Sequence, residues 1–173
     1  MNLNIPYMET DNKLLNDAYR IAAGDIVGNI VYYQNGLLTE EKPCMIAGLD
    51  YNTPWTRDTA INIWNALSIL SPEVSKNTLL AVLEEEEGNI YIGGQYWDSI
   101  IWMIGAREYC RFHKDDNFYR LAFKAGRNSV HRLEEDEFDE EDGLFRGPAV
   151  YGDGIAAYPD KYSKCPNQGS GIL

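Results

Sequence analysis

The chain has 173 residues, 45% hydrophobic and 24% charged, which is the composition of one ordinary globular domain with a core. Fifteen Lys and Arg against 27 Asp and Glu give a net charge of −12. That balance argues against nucleic acid and anionic membranes as partners, because both attract positive charge, and it fits a neutral small molecule or a sugar.

Apolar residues at helical spacing predict five helices. The first runs from about Glu9 to Tyr33 and ends at the turn Gln34-Asn35-Gly36. The second covers about Arg57 to Leu70. The third starts at Ser71-Pro72, where Ser caps the helix and Pro takes its first position. The acidic run 84–87 is interpreted as the solvated end of this helix, with a cation site as the alternative.

The fourth helix begins near Trp97-Asp98-Ser99 and is apolar on nearly all sides, which indicates burial. The fifth spans about Asn117 to Phe138, and the acidic stretch 134–142 is interpreted as its solvated end. Apart from a short extended piece near 42–47, no alternation of period two is evident. The predicted fold class is therefore all-α, with helical hairpins in a single domain over residues 1–173.

Three long loops, at about 34–58, 84–97 and 139–163, are predicted to lie on the same side of the hairpins. Loops gathered on one face are where functional residues concentrate. Two of these loops lead into helix N-termini, which offer unpaired N–H groups and positive potential. The pattern places the following residues near one another: Trp55, Arg57, Asp58, Trp97, Asp98, Tyr151 and Asp153.

Trp55, Arg57 and Asp58 lie where the first of these loops enters a helix. An indole packs on the apolar face of a sugar ring, while a guanidinium and a carboxylate make directed hydrogen bonds to its hydroxyls. The alternative is purely structural, namely an Asp helix cap, an exposed Arg and a core Trp, with Thr56 as the other possible cap. Local chemistry alone leaves both interpretations open.

Metal and cofactor sites are not predicted. The three cysteines are far apart and form no CxxC pair, so free thiols in a reducing compartment are expected. His113 and His131 are isolated in the sequence, which gives no support to a His-based metal cluster or a Ser-His-Asp triad. A cytoplasmic location is expected, because the N-terminus lacks a signal-peptide pattern and no apolar stretch approaches ~20 residues.

Three motifs resemble the six-hairpin glycosidases, the (α/α)6-barrel family of glucoamylases, glycogen-debranching glucosidases and trehalases. Trp55-Thr56-Arg57-Asp58, after Ala47-Gly48-Leu49-Asp50-Tyr51, is similar to the W-x-R-D element that binds the terminal sugar in that family. The segment Tyr96 to Trp102 resembles the aspartate-then-apolar start of the next inner helix. Asp142-Gly143-Leu144 with Gly152-Asp153-Gly154 resembles the loop that ends in the general acid.

The resemblance implies a glycoside hydrolase that acts on glucosidic or related oligosaccharides with inversion, through an acid and a base carboxyl group. It also implies part of an (α/α)6 toroid, since the complete fold has twelve helices and five are predicted here. Either the chain is a fragment that a missing C-terminal half completes, or another chain completes it. The apolar edges of an incomplete toroid favour self-association. The alternative is a non-catalytic carbohydrate-binding or scaffold module without the catalytic base.

The resemblance also assigns roles within the site. Trp55, Arg57 and Asp58 are expected to bind the sugar, Trp97 and Asp98 to lie at the mouth of the cleft, and Tyr151 to line it. Asp153 is the expected general acid, because its flanking glycines allow close approach of a ligand and nearby apolar residues can raise its pKa. Asp142 is the local competitor, although its place before Gly143 suits a turn. An Asp-Gly turn is likewise the structural alternative for Asp153.

Overall fold

The computed structural model describes residues 5–48, 50–94 and 98–145, and five helices and three β-hairpins form within them. Helix α1 covers Lys13–Gly28, and strands β1 (Ile30–Tyr33) and β2 (Lys42–Met45) follow. Helix α2 begins with Thr56–Asn62 and continues through a π-helical stretch, Ile63–Leu67, to a last turn at Ser68–Leu70. The remaining elements are α3 (Pro72–Ala81), β3 (Leu83–Glu86), β4 (Asn89–Ile92), α4 (Asp98–His113), α5 (Asp116–Glu137), β5 (Phe138–Asp139) and β6 (Leu144–Phe145).

The prediction of an all-α fold, and with it of hairpins forming part of an all-α toroid, is wrong. Each of the three strand pairs is an antiparallel two-stranded sheet, so the fold is mixed α/β. The first sheet pairs Ile30 with Met45 and Tyr33 with Lys42. The predicted extended piece near 42–47 is thus one half of a hairpin, and its partner strand had been assigned to the end of the first helix. Helix α1 ends at Gly28 because the β-branched and aromatic residues that follow favour a strand.

The acidic run Glu84–Glu87 is the second correction, because it is not a helix end. Its first three residues belong to β3, which pairs with β4 in the register Leu83 to Ile92 and Glu86 to Asn89. Glu87 and Gly88 both have positive φ, at 50° and 78°, and connect the strands in a tight two-residue turn. Only Leu83 of β3 is buried, so the strand lacks the inward and outward alternation that marks a half-buried strand in a sequence.

The core lies where α2, α3, α4 and α5 meet. Its largest fully buried side chains include Ile63, Leu67, Leu79, Trp102 and Phe118. The Trp102 indole N–H donates to the carbonyl of Leu79 at 3.3 Å, which satisfies its one polar group inside the core. The Phe118 ring lies 6.3 Å from that of Trp102, so the start of α5 is fixed against α4.

Helices α2 and α4 approach very closely at Gly105. A Cβ atom at this position would lie 2.8 Å from Cα of Ala60 and 2.9 Å from its carbonyl oxygen, which is closer than real Cβ atoms come to backbone. The absence of a side chain at Gly105 therefore brings the two helices together. Because α2 begins at Thr56 and α4 at Asp98, this contact also fixes the relation between their N-termini.

Helix α1 contributes no buried residue, although its sequence predicted an apolar stripe. Leu14 and Ile21 on that stripe are 78% and 65% exposed. Asn12 caps the helix by accepting hydrogen bonds from the N–H groups of Leu14 and Leu15, so its start is defined locally. No helix among the described residues is both long enough and apolar enough to cross a membrane.

Candidate functional site

The predicted sugar-binding segment begins at Trp55, the residue just before α2. Trp55 is the N-cap in an extended conformation, and no side chain caps this helix. The structural alternative expected a cap from Thr56 or Asp58, and neither forms one. The hydroxyl of Thr56 instead donates to the carbonyl of Gly93 at 2.7 Å, and this buried hydrogen bond joins the first long loop to the second.

Arg57 and Asp98 form an ion pair, with 3.8 Å between Nε and Oδ1. The Asp98 side chain is only 4% exposed, while that of Arg57 is 29% exposed. Asp98 is also the first residue of α4, where the helix dipole stabilises a negative charge. Two residues that are forty-one positions apart, predicted from different motifs to lie near one another, are thus in direct contact.

Gly94 fills the space between these two helix starts. Its φ of 114° is one that side-chain-bearing residues rarely adopt. A Cβ atom here would lie 2.8 Å from Oδ2 of Asp98 and 2.8 Å from the Thr56 hydroxyl. The absence of a side chain at Gly94, within the predicted loop 84–97, therefore lets the chain pass beside the ion pair.

A cleft of about 200 Å³ lies beside this loop, between Trp55 on one wall and Gly93 and Gly94 on the other. Trp55 is 40% exposed, so the alternative of a core tryptophan does not describe it. Tyr51 packs edge-on against the indole, with ring centroids 6.1 Å apart. An exposed indole held by a second aromatic ring is a ready platform for the apolar face of a ligand.

Polar groups that the sequence did not predict as part of a sugar site line the same cleft. They are Asn35, Thr53 and Glu84. The Thr53 hydroxyl is held at 2.8 Å from that of Tyr33, and the Asn35 amide donates to the carbonyl of Ala81 at 3.4 Å. Glu84 could have been predicted to line the cleft only if the β3–β4 hairpin had been recognised in the sequence, because alternate residues of a strand share one face.

Asp58 follows Trp55 by three residues, which places the two on neighbouring positions of one helix face. It is half-buried, and within the described ranges its carboxylate forms no ion pair or hydrogen bond. Its acceptor oxygens are therefore available to a ligand.

A second hollow of about 330 Å³ adjoins the cleft and shares Glu84, Gly93 and Gly94 with it. Arg132 lies on one wall, 3.5 Å above the centroid of the Tyr91 ring and 2.6 Å from a carboxylate oxygen of Glu86. This arrangement holds the guanidinium in place beside an aromatic face.

Two carboxyl groups, Asp136 and Glu137, also line the second hollow. Burial raises the pKa of Glu137 above its usual value, and the neighbouring charge of Asp136 raises it further. Glu137 therefore loses its proton at a higher pH than an ordinary carboxyl group does, which is the direction that a proton donor requires. The acidic pattern of residues 134–142 instead predicts a solvated helix end at this position.

Trp97, Tyr151 and Asp153 lie outside the residues that the structure describes, so their predicted roles stay predictions. Asp142 is described, and it lies in the turn between β5 and β6, where its N–H donates to the Asp139 carboxylate at 3.1 Å. Gly143 follows with a φ of 67°, as a turn requires. No group of three or more His, Cys, Asp or Glu with metal-binding geometry is found in the described part of the chain.

Comparison of the chain with protein-family models, with curated proteins and with solved structures returns no match. Function is therefore inferred from the residues of the cleft and from the motif resemblance.

Proposed function

We propose that this chain binds glucosidic or related oligosaccharides in the cleft beside Trp55 and is part of a glycoside hydrolase whose sugar-binding motifs resemble those of the six-hairpin glycosidases. The observation that carries the proposal is the ion pair between Arg57 and Asp98. It joins the W-x-R-D segment to the start of α4, the two elements whose sequence resembles the sugar-binding motifs of that family.

The chemistry of the cleft suits a neutral, hydroxyl-rich ligand. The exposed face of Trp55 packs against the C–H face of a sugar ring. Arg57 and Asp58 do not line the cleft itself but follow Trp55 and Thr56 in the first turn of α2. A sugar that extends from the cleft toward this turn would accept hydrogen bonds from the two terminal guanidinium nitrogens of Arg57, whose Nε faces Asp98, and would donate to the Asp58 carboxylate. An anionic ligand would meet the negative charge of Glu84 in the cleft wall and a net charge of −12 overall.

The burial of Asp98 changes its proposed role. A side chain that is 4% exposed and in contact with Arg57 acts by holding the guanidinium in place. Asp98 is therefore a positioning residue, and its prediction as a direct substrate contact is replaced in this proposal. Trp97 and Tyr151 remain proposed contacts at the mouth of the cleft.

The proposed reaction is hydrolysis with inversion. One carboxylic acid protonates the leaving glycosidic oxygen while a carboxylate ~6.5–9.5 Å away removes a proton from the attacking water. Asp153 is the proposed acid, on the strength of its flanking glycines and the motif it resembles. The base is not assigned to a residue of this chain. Glu137, whose pKa is raised, is the described competitor for the acid role.

Sugar binding is tested with a matched pair of tryptophan variants. Trp55 and Trp64 are both substantially exposed, at 40% and 52%, but only Trp55 lines the cleft. Titration with maltose and with cellobiose in a calorimeter should show that Trp55→Leu weakens binding about tenfold or more, the scale of a lost stacking contact. Trp64→Leu should leave affinity unchanged. Equal losses of affinity in both variants, or no binding of either sugar to the wild type, would refute the proposal that the cleft binds sugar.

Turnover is tested separately with 4-nitrophenyl glucosides, natural disaccharides and glucosyl fluoride. Asp153→Asn should abolish cleavage of disaccharides and spare glucosyl fluoride, because fluoride leaves with little proton assistance. The same selective pattern in Glu137→Gln would move the acid role to Glu137. Sugar binding without any turnover would favour the alternative, a non-catalytic carbohydrate-binding module.

A further inference from the structure

A groove of about 380 Å³ runs between α4 and α5 and is separate from the cleft described above. Its lining is almost wholly apolar and includes Trp102, Met103, Ala106, Ala122 and Val130. Two aromatic side chains of this lining are exposed to solvent, Tyr119 at 57% and Phe123 at 63%. Exposed aromatic residues above an apolar floor are the usual composition of a protein-binding hot spot.

The margins of this groove are basic. Arg107 on α4 and Arg127 on α5 both line it, and within the described residues neither forms an ion pair. His131 lies at one end of the groove. Residues 98–137 as a whole contain seven Lys and Arg and eight Asp and Glu, and the His131 ring contacts Glu134 at 3.1 Å, but none of these acids is among the described residues that line the groove. An apolar groove whose edges carry Arg107 and Arg127 therefore calls for an occupant with acidic margins.

We propose that the groove is a docking site for an amphipathic α-helix of a partner protein, apolar on one face and bordered by Asp and Glu. From Tyr119 to His131 the groove follows about three turns of α5, or ~18 Å, which matches a helix of ~12 residues. The apolar face of that helix covers Phe123 and Tyr119, and its acidic margins pair with Arg107 and Arg127. This is the helix-in-groove mode of recognition.

The charge pattern favours this occupant over two others, a second copy of the chain and an anionic membrane. A second copy that docked the same groove across a two-fold axis would bring each basic margin against its own equivalent, which is repulsive. An anionic membrane would be attracted to Arg107 and Arg127 but repelled by the net charge of the chain. The groove shares no lining residue with the proposed sugar cleft, so the two proposals stand or fall independently.

The probe is a fluorescein-labelled helical peptide of about 14 residues, with leucines on one face and glutamates along both margins. Fluorescence polarisation should show saturable binding that weakens as salt rises, because exposed charge pairs are screened. A peptide of the same composition in scrambled order, which cannot form an apolar face, should bind at least about tenfold more weakly. Equal binding of the two peptides would overturn the proposal.

Charge reversal on the protein locates the site. The double variant Arg107→Glu, Arg127→Glu should weaken binding about tenfold or more and should bind a peptide with lysine margins better than the wild type does. Lys124→Glu is the matched control, because Lys124 lies on α5 but outside the groove, and it should change affinity less than about twofold. Circular dichroism confirms that each variant is folded.

Three results would overturn the inference. One is an equal loss in Lys124→Glu. Another is selective binding of phosphatidylserine vesicles, lost in the double variant, which would make the groove a membrane site. The third is a concentration-dependent dimer in light scattering that the double variant abolishes, which would make a second copy the occupant.

Discussion

Substitution of Gly105 by alanine tests the close approach of α2 and α4, on which the candidate site depends. In an ordinary helix this change stabilises by about 1 kcal/mol, because alanine has the higher helix propensity. Here the new Cβ would lie 2.8 Å from Cα of Ala60, and ordinary contact begins at 3.4 Å. The helices must therefore separate by about 0.6 Å. Because the obstacle is backbone, no side-chain rotation relieves it.

The expected magnitude follows from two opposing terms. Overpacking a closed contact costs about 1–3 kcal/mol, and the propensity gain offsets about 1 kcal/mol of that. We expect a net loss of about 1 kcal/mol in the free energy of unfolding, or roughly 2–4 °C in Tm for a chain of this length. Urea unfolding followed by circular dichroism should show a lower midpoint with an unchanged m-value.

Two other helical glycines provide controls for the same substitution. A Cβ at Gly24 in α1 meets nothing within 4 Å, so Gly24→Ala should be neutral or stabilising. At Gly126 in α5 the nearest atom, 2.6 Å away, is the sulfur of Met103, a flexible side chain that can move, so Gly126→Ala should fall between the other two. A Gly105→Ala protein as stable as the wild type, or the reverse order of the three variants, would refute the geometric argument.

Two further predictions concern titratable groups. Asp115 caps α5 by accepting from the N–H of Phe118 at 3.0 Å, and its hydrogen bond from Lys76 holds the pKa of the carboxyl below its ordinary value of 3.8. Asp115→Ala should therefore lower the free energy of unfolding in urea by about 1–2 kcal/mol at neutral pH. This loss should shrink as the pH falls below 3.8 and the wild-type carboxylate is protonated. A loss that stays constant down to acid pH would contradict the prediction. Burial raises the pKa of the Cys44 thiol to about 12, so the thiol should not react in the native protein at mildly alkaline pH. Mass-spectrometric mapping should find Cys44 unlabelled by a thiol reagent in native protein and labelled after unfolding. Fast labelling of the native protein would contradict the burial of Cys44.

The sequence located the helices well because their boundaries have local causes. Ser71 caps α3 by accepting from the N–H of Val74, with Pro72 in the first turn, as the sequence predicted. The proximity of Arg57 and Asp98 was also predicted, because both residues lie where a long loop enters a helix. Those signals are contained within a few neighbouring residues.

The hairpins could not be found in the same way, because their causes are not local. In β3 three consecutive glutamates face solvent, and the strand is held by its pairing with β4 and by the burial of Leu83 against the helices. The apolar stripe of α1 predicted the helix correctly but not its exposure. An amphipathic pattern does not identify what covers the apolar face of a helix. Glu84, as a member of the cleft, became visible only once the strand was recognised.

The π-helical stretch Ile63–Leu67 has a consequence for how the chain tolerates changes in length. A π turn holds one residue more than the α turn that spans the same rise, and the extra residue is absorbed locally. Loss of a single residue from an ordinary buried helix rotates everything beyond it by about 100°, the angle between successive residues at 3.6 per turn. In α2 the same loss converts the wide turn into an α turn. Arg57 at one end and Ser68 at the other would keep their faces, so we expect the described core to tolerate the loss of one residue within this stretch.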